Sequence, residues 1–149
     1  IERMIWEPMS ISREQGETLS ACRELQEDVN KDSPLPFLIC LDLDHGDISS
    51  LDERDTDPYA WLEEFAPQSP FIHIKQSSEN KGGHWPFTRE YNEIGRIKAE
   101  RVIEILDSYG IDGTELVLEL SFREREPADS SAPAAIKESV QYWRPHVSF

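Results

Sequence analysis

Four side chains able to bind a metal or move a proton stand in the same kind of setting. Glu7 follows the run MIW, Asp42 lies in LICLDLDH, His73 in FIHIK and Glu119 in VLELSF. Each has apolar neighbours, as a residue near the end of a buried strand does. A carboxylate withdrawn from water by itself is costly, and a cation or a hydrogen-bonding partner relieves the cost. Four such groups at matching strand ends predict one shared divalent metal ion. Three carboxylates and an imidazole suit Mn2+, Mg2+ or Co2+ better than a thiolate-preferring ion, and Zn2+ falls within their range.

Each residue also has an ordinary structural explanation. Glu7 could pair with Arg3 or Arg13, Asp42 and His45 could cap the following helix, and His73 could be a hydrogen-bonded core histidine. The common register of the four is what favours a metal. The loop DLDHGD crowds Asp44, His45 and Asp47 beside Asp42.

The elements that must position these groups alternate. Residues 3–9, 36–43, 70–76 and 114–122 read as strands. Helices are expected over 16–30, over DPYAWLEEF with Asp57 as N-cap and Pro58 in its first turn, over 94–109 with Gly110 as stop, and over the last stretch from Ala132. Leu19, Cys22, Leu25 and Val29 fall on one helical face, and Ile97, Val102, Ile105 and Leu106 face inward in the third helix. Trp61 and Trp143 read as core. Repeated strand–helix units imply a parallel α/β sheet with both faces covered. Loops after the strands are long and rich in chemistry, and those before them are short turns. That asymmetry is the mark of a (β/α)8 barrel, whose site lies at the C-terminal strand ends, and no Gly-rich phosphate loop points to a doubly wound sheet. A barrel takes roughly 250 residues. Residues 1–149 supply four units and read as its C-terminal half, one half-barrel domain of a longer chain; the start at Ile1, without a methionine, agrees.

A formal net charge of −15 argues against nucleic acid and anionic membranes as partners, since both demand a basic face. No apolar run reaches the length of a membrane span. Cys22 and Cys40 match no zinc or redox spacing and read as reduced thiols of a cytoplasmic protein.

The motifs EPMSISRE, LDLDH, HIKQ and LELSF resemble the xylose-isomerase-like TIM-barrel superfamily of sugar and sugar-phosphate isomerases and epimerases, over essentially the whole chain. WEPMSISRE with GHWPFTREYN looks most like its tetrulose-phosphate or related ketose-phosphate epimerases. Asp44 departs from the family, which more often has a neutral residue there. The resemblance implies that Glu7, Asp42, His73 and Glu119 bind one divalent ion, that His45 contacts substrate, and that Glu7 and Glu119 are the acid and base. The implied reaction is epimerisation or isomerisation of a ketose or ketose phosphate through a metal-stabilised ene-diolate. Arg13, Lys75, Arg123 and Arg125 lie just past strand ends and are candidates to hold a phosphate. In KGGHWPF, Gly82 and Gly83 offer a hinge, and His84 and Trp85 either close over the substrate as a lid or anchor the loop through its aromatics. Rival readings are a non-catalytic half-barrel or sugar-binding relic, and an abasic-site endonuclease, which the acidic charge opposes. Half a barrel leaves sheet edges unpaired, so self-association or a homo-oligomer is expected.

Overall fold

The computed structural model describes residues 1–46, 49–79, 81–122 and 129–148. Asp47, Arg123 and Arg125 lie outside the described residues. The strands are β1 (Met4–Trp6), β2 (Phe37–Asp42), β3 (Phe71–Ile74), β4 (Gln76–Ser78), β5 (Lys81–Trp85) and β6 (Glu115–Leu118), and the helices α1 (Leu19–Lys31), α2 (Pro58–Phe65), α3 (Arg89–Ile94), α4 (Ala99–Ser108) and α5 (Ala132–Trp143). The chain forms two compact units, Ile1–His73 with Leu106–Val117, and Ile74–Ile105 with Leu118–Phe149.

The first unit carries the body of a parallel sheet of order β1-β2-β3-β6. Met4 pairs with Phe37, Trp6 with Ile39, Cys40 with Phe71 and Asp42 with His73. Side chains alternate across a strand. On β2 and β3 one set, Ile39, Leu41 and Ile72, is buried with Trp61, Leu62 and Phe65 of α2. The other set, Cys40, Asp42 and His73, faces the opposite way, so burying the apolar set fixes where the polar set points. Helix α1 begins where Thr18 Oγ1 accepts the Ala21 N–H at 3.1 Å. Asp57 caps α2 by accepting the Tyr59 N–H at 2.9 Å, with Pro58 in the first turn, as the sequence implies.

In the second unit β4 and β5 form an antiparallel hairpin. The stretch after β3 that includes KGGHWPF, read from the sequence as a loop, is therefore a hairpin followed by the short helix α3. Phe87 is fully buried, with its ring 5.2 Å from Trp143 and perpendicular to it, and Trp85 stacks on Tyr91 at 5.1 Å. Both ring contacts lie within the second unit. The helix expected over 94–109 starts later than the sequence suggests: α4 begins at Ala99, runs to Ser108, and the chain turns away where Gly110 adopts φ +62°. That left-handed conformation is one that glycine adopts without a Cβ penalty.

Candidate functional site

Glu7 follows β1, Asp42 ends β2, and His73 is the third residue of β3. One donor atom from each enters the same space, all within 4.8 Å of one another. Glu7 Oε1 lies 3.2 Å from His73 Nδ1 and 3.5 Å from His45 Nδ1. The Asp42 side chain is wholly buried; its Oδ1 accepts the Asp44 N–H at 2.8 Å, and its Oδ2 lies 3.3 Å from His45 Nε2. Two of the ordinary alternatives are met elsewhere, since the helix caps belong to Asp52 and Asp57 and Glu7 turns toward histidines, while His73 is hydrogen-bonded through both ring nitrogens.

His45 is held through both ring nitrogens. Its Nδ1 is 3.2 Å from the Pro8 carbonyl, which can only accept, so the proton sits on Nδ1. Its Nε2 then faces the Asp42 carboxylate, an attractive contact only with a further positive charge between or on the pair. A buried carboxylate, a second carboxylate and imidazole nitrogens thus fit a divalent cation of the oxygen- and nitrogen-preferring kind.

Glu119 lies in the second unit. Its backbone N–H bonds to the Ile74 carbonyl at 3.1 Å, which fixes its height beside β3, and the Ser121 N–H bonds to the His84 carbonyl at 2.9 Å. Lys75 is 1% exposed, and its Nζ donates to Glu119 Oε2 at 2.8 Å and to His84 Nε2 at 3.0 Å. An ammonium this buried requires such partners. The sequence marked Lys75 and His84 for the substrate, and here they form one hydrogen-bonded group with Glu119.

Arg13 sits in a turn after β1, with 80% of its side chain exposed and 3.1 Å from Glu14. Two relations carried no flag in the sequence. Cys40 Sγ lies 3.3 Å from His73 Nε2, and Lys75 is bound to Glu119. The first had a signal: Cys40 precedes Asp42 by two residues on one strand, and therefore shares its face. The second had none, because 44 residues separate its partners.

No family model matches the chain. Over 148 residues it is 45% identical to a D-erythrulose 1-phosphate 3-epimerase of Brucella abortus (strain 2308), which takes in 99% of this chain and 48% of that protein. A xylose isomerase-like protein of Rhodospirillum rubrum ATCC 11170, crystallised at 1.90 Å resolution, superposes with a TM-score of 0.80 at 19% identity, over 99% of this chain and 48% of that one. The chain spans about half the length of each. The structural likeness shows the fold, four parallel strand–helix units of half a xylose isomerase-like barrel. Together the two likenesses bear out the superfamily resemblance drawn from the motifs.

Proposed function

We propose that this chain carries the metal and acid–base residues of a divalent-metal-dependent epimerase acting on a short ketose phosphate. The observation that carries the reading is the convergence of Glu7, Asp42 and His73 donor atoms at successive parallel strand ends. Glu119, the next residue in the Glu–Asp–His–Glu order, is assigned as the fourth ligand on the strength of the family resemblance. The Brucella relative, named for 3-epimerisation of D-erythrulose 1-phosphate, supplies the substrate class: a four-carbon 2-ketose with a terminal phosphate.

A divalent ion, if held by these donors, would supply positive charge to the substrate's carbonyl and neighbouring hydroxyl and so acidify C3, the carbon that bears that hydroxyl. Glu7 and Glu119 then divide the proton work. One carboxylate takes the C3 proton from one face, and the other, entering protonated, returns a proton to the opposite face, so the centre inverts with no net change in composition. Lys75 holds the Glu119 carboxylate in place through a 2.8 Å hydrogen bond, which orients it for the proton transfer. His45, pinned by Pro8 and beside Asp42, is placed to contact the substrate oxygens. Arg13 is assigned to the phosphate, and His84 and Trp85 to the substrate side of the hairpin. A cytoplasmic setting without a nucleic-acid or membrane partner goes with this reading, on the acidic composition and cysteine spacing of the sequence.

The test is proton NMR in D2O of metal-loaded protein with ketose phosphates. One deuterium entering at the carbon beside the carbonyl, abolished by a chelator and by Glu119→Gln, is expected. Absence of exchange in the loaded protein would end the reading. Sugar binding without exchange would favour a non-catalytic half-barrel instead.

A further inference from the structure

We propose that Cys40 is the positioning residue for the His73 imidazole, its thiol serving whichever tautomer the ring adopts. Both ring nitrogens are engaged: Nδ1 lies 3.2 Å from Glu7 Oε1 and Nε2 lies 3.3 Å from Cys40 Sγ. The strand geometry explains the second contact. Cys40 and Asp42 share one face of β2, and His73 is the register partner of Asp42 on β3, so the thiol lies against the ring one step before the carboxylate.

A carboxylate accepts and does not donate. Without a cation, Nδ1 therefore carries the proton toward Glu7, Nε2 offers its lone pair, and the Cys40 S–H donates to it. Nδ1, the ring nitrogen that faces Glu7, is the atom that would be the ligand if the two residues held an ion. This part of the inference rests on the metal reading above. With Nδ1 committed to a cation, the ring proton must sit on Nε2, where the Cys40 sulfur accepts it. The proton leaves Nδ1 to solvent and another is taken up at Nε2, while the thiol keeps its own and rotates it away. A group that only accepts, or neither donates nor accepts, cannot serve both states. Serine can, and alanine and valine cannot.

Long-range proton–nitrogen NMR of His73, at a pH where imidazole is neutral, reads the tautomer directly. Wild type is expected to show Nδ1–H without metal and Nε2–H when saturated with diamagnetic Zn2+, and Cys40→Ser should keep both. Cys40→Ala, and Cys40→Val as the variant that fills the volume, should show mixed tautomers without metal and a Zn2+ Kd raised about 10–100-fold. Wild-type tautomers and wild-type Kd in a folded Cys40→Ala or Cys40→Val protein would overturn the proposal. Failure of wild type to bind Zn2+ would remove the metal reading, while the metal-free tautomers of the same variants would still decide the role of Cys40.

Discussion

Cys22 and Cys40 carry the same side chain into opposite surroundings. Cys22 on α1 is fully buried; burial, with a smaller contribution from the negative charge of Glu64, pushes its thiol up to about 12 from the ordinary 9.0. Cys40 is partly exposed on the face that bears Asp42. A thiol reagent at mildly alkaline pH should modify Cys40 in the folded protein and Cys22 only on unfolding, as peptide mass mapping would reveal. Early labelling of Cys22 would contradict its burial. Linkage fixes the sign of the stability effect. The folded state keeps the Cys22 proton through a range where the unfolded chain has lost it, so this contribution is full below pH 9.0 and is lost as pH rises toward about 12. Urea midpoints should therefore fall less steeply across that window in Cys22→Ala than in wild type, and parallel slopes would refute the assignment.

The hairpin and the helices that follow it are tied together by one buried amide. Gln76, the first residue of β4, is fully buried; its Nε2 donates to Asn92 Oδ1 at 2.9 Å and to the Ile97 carbonyl at 3.0 Å, and its Oε1 accepts the Ile97 N–H at 3.0 Å. A Cβ at Gly95 would overlap that carboxamide. Gln76→Ala should lower stability by about 1–3 kcal/mol, because it strands buried polar groups, and Gly95→Ala should destabilise by displacing the same amide. Urea unfolding checks both, and unchanged midpoints would show that the second unit does not depend on this bridge. The same segment marks where sequence reading ran out. Strands β2 and β3 were legible because Ile39, Leu41, Ile72 and Ile74 are strongly apolar, and the α2 start was legible because Asp57 and Pro58 act locally. The β4–β5 hairpin was not, since SSENKGGH has the composition of a loop and its pairing depends on a cross-strand register. The site divides the same way. Glu7, Asp42, His73 and Glu119 stood out as polar groups in apolar runs, while the Lys75–Glu119 pair depends on a fold-determined meeting.

Across the whole molecule, sheet edges and charge oppose each other. Among the described residues β1 and β6 each have a strand on one side only, and Met4 and Ile5 on one and Val117 on the other are exposed. Unpaired edges with apolar side chains favour association, and a net charge of −15 resists it. Sedimentation velocity should show concentration-dependent self-association that strengthens with added salt as the repulsion is screened, and one monomeric boundary under all conditions would contradict this. A cation shared by Glu7, Asp42, His73 and Glu119 is central to the proposed chemistry. Its most direct test is a Mn2+ titration of the chain followed by the loss of the free-ion paramagnetic resonance signal, in wild type and in Glu7→Gln, Asp42→Asn, His73→Ala and Glu119→Gln. One bound ion per chain, with binding weakened by at least about 10-fold in each variant, is the expected result. Binding indifferent to all four substitutions, or no binding by the folded wild type, would contradict it.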